Sequence, residues 1–270
     1  MMKLLTTPQE VQLIISEGKR SATHYITNFF PSREKLDMWL KNEELFEASR
    51  GAAALILRKS DDFFHVHFSA GAPAELQAAL QDLPAENLLV CDLVGSSEAT
   101  AELVSVFEQA GFYKYRNLRR LVRVNSRSTP SIRDKTVAVA REDEANAVHA
   151  ILQHAFDRHS EQIPAFDELQ AAARQGEIFV VRKNNDLAGF LYFQQQGVTA
   201  SVRYWFVDER YRNEGIGSKL MHAFFDHTAT AKRILLWVVE DNENAIAKYE
   251  HYGFAPDNLI DQVMRKDAAK

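Results

Sequence analysis

Residues 207–218 read Val207-Asp208-Glu209-Arg210-Tyr211-Arg212-Asn213-Glu214-Gly215-Ile216-Gly217-Ser218, a cation followed by two glycines at the start of an apolar-periodic stretch. Glycine carries no Cβ, so a ligand can come close to the backbone there. The amides of a helix's first turn have no intrahelical acceptor, and with the helix dipole they converge on an anion. Arg212 adds a cationic contact from the loop. The arrangement suits a pyrophosphate, although the same glycines also serve an ordinary turn into a helix. Other chemistry-bearing residues have weaker settings. His65 and His67 form a His-x-His pair on one strand face, but no third metal ligand stands at a matching spacing, which favours a solvated face. Arg116, Arg119, Arg120 and Arg123 are split by strand alternation between two faces and read as edge-strand protection. His149, His154 and His159 are spaced by five, share no helical face and read as solvated.

The elements that must carry these residues alternate strand and helix. In the second half, strand 136–140 precedes helix 142–156, with Val148, Ile151, Leu152 and Ala155 on one face. Ile178 to Val181 and Gly189 to Phe193 make a hairpin turned at Asn184-Asn185-Asp186. Strand 201–207, helix 215–228, strand 234–239, helix 243–252 and strand 259–265 complete the run. Helix 215–228 sets Gly217, Leu220, Met221 and Phe224 on one face. Hairpins followed by single crossovers predict an α/β fold, a mixed β-sheet covered by helices.

Two segments carry a family resemblance. Val207, Arg212, Gly215 and Gly217 match Val-x-x-x-x-Arg-x-x-Gly-x-Gly, and 242–254 matches Asn-x-x-Ala-x-x-x-Tyr-x-x-x-Gly-Phe through Asn242, Ala245, Tyr249, Gly253 and Phe254. Both resemble the GNAT superfamily of acyl-CoA-dependent N-acetyltransferases, in the right order and spacing, over about 136–266. Asn213 stands where that family usually has Gly, and Glu209 where it often has Pro.

The resemblance implies acetyl-CoA as cosubstrate, lying between the diverging strands 201–207 and 234–239. Its pyrophosphate would take the amides of Arg212, Asn213, Glu214, Gly215, Ile216, Gly217 and Ser218. Its pantetheine would pair with backbone near Phe206 and Val207 like an added strand, with Asn242 also at the cofactor site. Tyr249 becomes the candidate acid for the departing thiolate, although Ala245, Tyr249 and Tyr252 share a helical face and the ring also suits a core. Some relatives carry a glutamate twelve residues before the tyrosine. Here that position is Trp237, which leaves Glu240, Asp241, Tyr204 or a water relay as the base. The loop around His159, Ser160 and Glu161 corresponds to one that lines the acceptor site in relatives. The acceptor implied is an amine, a small molecule more than a protein.

The same register recurs upstream. Phe107-Glu108-Gln109-Ala110-Gly111-Phe112 repeats Tyr249-Glu250-His251-Tyr252-Gly253-Phe254 at a constant offset of 142 (249 − 107, 253 − 111). It places Phe107 opposite Tyr249, Thr100 opposite Asn242 and 70–75 opposite 212–217. No Arg-x-x-Gly-x-Gly occurs before residue 130, so the first half reads as a degenerate, catalytically silent copy. A polar seam at 125–134, with Pro130, puts the boundary between domains at 1–127 and 128–270.

Composition sets the remaining limits. Of 270 residues, 46% are hydrophobic and 26% charged, which excludes intrinsic disorder. A net charge of −5 argues against non-specific nucleic-acid binding, and the lone Cys91 excludes a disulfide framework or multi-cysteine metal site. No run of 18 apolar residues suggests a membrane span, and Met1–Arg20 does not pattern as a signal peptide. The expectation is a cytoplasmic monomer or homodimer without a metal. The alternatives are an acyl-CoA-binding regulatory module without turnover and a tandem aminoacyl-tRNA-dependent transferase.

Overall fold

The structure is a computed structural model that describes residues 2–20, 22–125, 134–184 and 186–269. Most of the polar seam, including Pro130, and Asn185 of the hairpin turn lie outside the described residues. The elements in chain order begin with β1 (Lys3–Leu4), α1 (Pro8–Arg20), β2 (Ile26–Thr27), α2 (Arg33–Lys41) and β3 (Leu45–Ser49). Next come β4 (Ala53–Ser60), β5 (Phe63–Ala70), α3 (Pro73–Gln81), β6 (Leu88–Gly95), α4 (Ser97–Gln109) and β7 (Tyr113–Val124). The second half has β8 (Val137–Val139), α5 (Ala145–Ala155), α6 (Phe166–Gln175), β9 (Ile178–Lys183), β10 (Asp186–Gln196) and β11 (Thr199–Val207). It ends with α7 (Ile216–His227), β12 (Arg233–Val239), α8 (Glu243–His251) and β13 (Ala255–Lys266).

These elements pack as two compact units that no single cut in the sequence separates. One comprises Met1–Leu118 with Asn258–Lys270, the other Arg119–Asp257. The second half of β7, residues 119–124, and most of β13, residues 258–266, thus lie in the unit built mainly from the other sequence half. The first unit has the strand order β1-β3-β4-β5-β6-β13, and the second β8-β9-β10-β11-β12-β7. Each contains a parallel pair joined by a helical crossover: β5 with β6 through α3, and β11 with β12 through α7.

Within the second unit the sheet is covered on both faces, so its strands read as nearly continuous apolar runs. Phe179, Val181, Leu191 and Phe193 pack with Leu220, Met221 and Phe224 of α7. Ile178, Val180, Phe190 and Tyr192 pack with Val148 and Leu152 of α5 and with Leu169 of α6. Gly189 is required where α7 comes closest. A Cβ there would lie 2.8 Å from the Phe206 carbonyl oxygen and 3.0 Å from Ile216 Cγ2.

The predicted repeat is visible in backbone detail. In α8 the amides of Tyr252 and Phe254 both donate to the Tyr249 carbonyl, and that of Gly253 to Glu250. In α4 the amides of Ala110 and Phe112 donate to Phe107, and that of Gly111 to Glu108. Gly111 and Gly253 have φ of 86° and 82°, the left-handed conformation that closes a helix and favours glycine. Phe107 and Phe112 meet edge-on at 5.0 Å, as Tyr249 and Phe254 do at 5.8 Å. At the other end of these helices the offset changes. α8 is capped by Asn242, whose side chain accepts from the Ala245 amide, and α4 by Ser96, which accepts from Ala99. The counterpart of Asn242 is therefore Ser96, one helical turn before Thr100.

Two of the sequence expectations fail for one reason, the cover that distant segments provide. The His65/His67 face is enclosed rather than solvated: His65 is 4% exposed, and His67 meets the rings of Phe29 and Trp39 at 5.2 and 6.0 Å. Burial, with the nearby Arg58 charge, pushes His67 down to about 3, so the imidazole stays neutral. Two of the arginines of β7 are engaged with carboxylates rather than solvated. Arg119 pairs with Glu240 at 2.8 Å, and Arg120 Nε donates to Asp257 at 2.9 Å while facing the Trp237 ring. Of the three spaced histidines, only His154 is exposed; His149 lies against Phe166, and the His159 Nε2 is enclosed.

Candidate active site

Two features of β11 open a cleft in the second unit. β10 and β11 pair in register from Gly189↔Val207 to Tyr192↔Tyr204, then shift so that Phe193 faces Val202. Arg203 is therefore an extra residue, a bulge that bends the strand. On the other edge, parallel pairing with β12 runs from Thr199↔Arg233 to Val202↔Leu236 and ends there. Beyond that point a cavity of about 700 Å³ lies against Trp205, Phe206 and Val207.

The second wall is the loop into α7, where Arg212, Asn213, Gly215, Ile216, Gly217 and Ser218 line the cavity. Asn213 and Gly215 have φ of 67° and 74°, left-handed values that Asn and Gly tolerate best. The first intrahelical bond runs from the Lys219 amide to the Gly215 carbonyl, so the amides of Ile216, Gly217 and Ser218 precede the helical ladder. The Arg212 amide is already used, donating to the Glu209 carbonyl, and its guanidinium sits 3.1 Å from the Glu209 carboxylate. Glu214 is the one residue of the expected set that does not line the cavity; its side chain pairs with Lys183.

α8 supplies the third wall through Asn242, Ala245, Lys248, Tyr249 and Tyr252. The Asn242 side-chain oxygen is engaged by the Ala245 amide, so its first duty is to start the helix. Tyr252 donates to Ser218 Oγ at 2.9 Å and ties α8 to the first turn of α7. The Tyr249 ring is 9% exposed and 5.5 Å from that of Trp205. Burial, and then the Glu161 charge, hold the Tyr249 phenol well above its ordinary range, so it stays protonated at any working pH. The sequence left core packing and a proton-donor role as alternatives for this ring; it is packed in the core and also lines the cavity.

None of the three side chains expected as bases is on the cavity wall. Glu240 is paired with Arg119, and Asp241 is exposed. Tyr204 is buried, with its hydroxyl donating to the carbonyls of Glu161 at 2.5 Å and Gln162 at 2.9 Å. It anchors the loop between α5 and α6. Phe156, Trp205, Tyr252 and Lys248 line the cavity without having been singled out from sequence. Alternation along β11 from Val207 would have found Trp205, and the helical face that Tyr252 shares with Tyr249 already pointed to the same wall. Among the described residues, no group of three or more His, Cys, Asp or Glu is placed to hold a metal.

The first unit has the same divergence of parallel strands and fills it with its own chain. β5 and β6 pair from Phe63↔Leu88 to His65↔Val90 only. Beyond that, β2 pairs with the vacated edge at Ile26↔Ala70 and Thr27↔Ser69. Asn28 then bridges the gap. Its Oδ1 accepts from the Phe68 amide at 2.8 Å, and its Nδ2 donates to Val66 O at 3.1 Å and to Asp92 O and Cys91 Sγ at 3.3 Å. The loop entering α3 is residues 71–72, where the loop entering α7 is 208–215. Six residues are absent, so the eroded cradle is a deletion rather than a substitution in place, and Pro73 takes the first helical position.

The Acetyltransferase (GNAT) family model matches residues 145–254, the span that holds this cavity. The chain carries a GNAT-family domain. Spermine/spermidine N(1)-acetyltransferase of Bacillus subtilis (strain 168) is 34% identical to this chain over 87 residues, covering 28% of the chain and 57% of that protein. The chain thus spans little more than half the length of the curated relatives it matches. Among solved structures, the GCN5-related N-acetyltransferase from Sphaerobacter thermophilus superposes with a TM-score of 0.59 at 13% identity, over 100% of this chain and 96% of that one. A tandem GNAT protein from the clavulanic acid biosynthesis pathway gives 0.61 at 14%, over 100% and 99%. At these identities the likeness is one of fold. It covers both halves, so the mixed α/β architecture extends over the whole chain beyond the span that the family model matches.

Proposed function

We propose that the GNAT domain transfers the acetyl group of acetyl-CoA to a primary amine of a small molecule. The observation that carries this reading is that both sequence motifs line one cavity at the divergence of β11 from β12. The residues there fit CoA. The amides of Asn213 to Ser218 and the Arg212 guanidinium offer donors to a pyrophosphate. The backbone of β11 past Val202 offers pantetheine an edge to join.

Reaction requires little covalent help from the protein. Holding amine and thioester together supplies much of the rate. Tyr249, protonated and facing the cavity, is placed to give a proton to the leaving sulfur. The ammonium form of the acceptor must lose a proton first, because an alkyl amine of pKa about 10.4 is almost wholly charged at neutral pH.

The test is thiol release from acetyl-CoA by the purified chain with a panel of amines, beginning with spermidine and spermine. Amine-dependent thiol release with an N-acetylated product is expected. CoA binding without turnover on any amine would instead make the domain a regulatory module.

The glycines give a separate check on the binding mode. A Cβ on Gly217 would meet Trp205 Cζ2 at 2.9 Å, so Gly217→Val must displace the indole or the start of α7. Gly215 has open space but a left-handed φ, so Gly215→Val strains the loop instead. Either change misplaces the amides. Each charge-assisted bond lost costs about 1.5–3 kcal/mol, roughly tenfold or more in affinity. CoA titrations by calorimetry should show the loss in both variants, and unchanged affinity would remove this loop from the site.

A further inference from the structure

From Glu243 to Tyr252, along α8 and its cap, only Glu243, Ile246 and Glu250 do not line the cavity. At about 3.6 residues per turn those three fall on one face, and Lys248 falls in the middle of the arc opposite. Both acids of the helix are thus turned away. Among the described residues no Asp or Glu lines the cavity, although the chain as a whole carries a net charge of −5.

The two cations on the wall are not equivalent. The Arg212 guanidinium is shared with the Glu209 carboxylate at 3.1 Å. Lys248 is exposed, and among the described residues its ammonium has no carboxylate partner. The sequence explains why. The residues three and four away on its helix are Asn244, Ala245, His251 and Tyr252, none of them acidic. Tyr252 in turn donates to Ser218 Oγ at 2.9 Å, so Lys248 stands one helical turn from the residue that touches the end of the cradle. A cation in the last turn of a helix also answers the helix dipole, but a lysine on any face of α8 would serve that role.

We propose that Lys248 binds the phosphomonoester at the 3′ position of the CoA ribose and makes the domain select CoA over 3′-dephospho-CoA. This rests on the acetyl-CoA reading above. In that reading the pyrophosphate takes the amides of the loop into α7 and the Arg212 guanidinium, and the thioester end runs along β11 towards Tyr249. The remaining anion is the monoester, which carries about −1.5 to −2 charge at pH 7 and has no donor in that arrangement. An ammonium binds phosphate as a compact point charge with three rotatable donors. Asn244 and His251, which line the cavity beside Lys248, offer hydrogen bonds to the same group.

The test is calorimetric titration of the full chain with CoA and with 3′-dephospho-CoA, at low ionic strength, where an exposed charge is least screened. The wild type should bind CoA about five- to tenfold more tightly, between the worth of an exposed ion pair and that of a charge-assisted hydrogen bond. Lys248→Gln should lower CoA affinity by that factor and leave the affinity for 3′-dephospho-CoA unchanged, so that the preference disappears. Lys248→Arg, which keeps the charge, should retain the preference. A wild type that binds the two ligands equally overturns the proposal while leaving acetyl transfer standing. So does a Lys248→Gln chain that loses affinity for both alike, because the lysine would then act by supporting α8. A wild type that binds neither ligand overturns both readings.

Discussion

Asn28→Ala should destabilise the first unit without giving the chain a second CoA site. The side chain spans the opening between β5 and β6 with four hydrogen bonds, and alanine leaves the Phe68 amide and the Val66 and Asp92 carbonyls short of their partner. A buried donor or acceptor left unsatisfied costs about 1–3 kcal/mol. Water entering the gap offsets part of this, so a net loss of about 3 kcal/mol is expected. At about 3–5 °C per kcal/mol for a unit of this size, its melting transition should fall by roughly 10 °C. Differential scanning calorimetry of the variant checks this. CoA titration should give one site per chain in wild type and variant alike, because the two-residue loop 71–72 has no room for a cradle. Two equivalent sites in the wild type would overturn the view of the first unit as self-filled.

That result turns on a feature no local pattern announces. Ile26, Thr27 and Asn28 stand in a short mixed stretch with no sustained alternation, and β2 pairs along an edge of β5 that β6 abandons. The burial of His65 and His67 has the same origin, since alternation tells which residues share a strand face but not which helices cover it. Strand exchange was equally hidden. Residues 118–124 and 259–265 read correctly as strands, yet their assignment to opposite units follows from pairings made across the whole chain.

What was legible is what nearby residues determine. The Gly-Phe helix endings follow from a left-handed closure that needs glycine at 111 and 253, and the structure repeats them bond for bond. The loop 207–218 was legible because its glycines and Asn213 answer to backbone conformation. The structure gives Gly217 a further reason, contact with Trp205, that only the folded chain supplies. Asn242 was legible as part of a motif while its capping role was not, because the motif records the residue and not the bond. Helix α6 went unread, although Phe166, Leu169, Ala172 and Ala173 fall at helical spacing and Gly176 closes it.

Tyr249→Phe should leave CoA affinity and folding nearly unchanged while lowering kcat. The ring packs against Trp205 and Phe254 at 5.5 and 5.8 Å, contacts that phenylalanine keeps. Only the hydroxyl is lost. Donation from an ordinary phenol of pKa about 10 to a thiolate of about 8.5 is already uphill, and burial raises this phenol further. That penalty applies to full transfer of the proton. A hydrogen bond that shortens as charge builds on sulfur still stabilises the transition state, and a buried setting strengthens it. The two effects oppose each other and place the loss at about 100-fold or less, the lower end for acid–base groups. Pre-steady-state thiol release isolates the chemical step from product release. If that step is as fast in the variant as in the wild type, the sulfur draws its proton from elsewhere and Tyr249 serves as packing. If CoA affinity falls by a similar factor instead, the hydroxyl holds the cosubstrate and the proton-donor role fails in a different way.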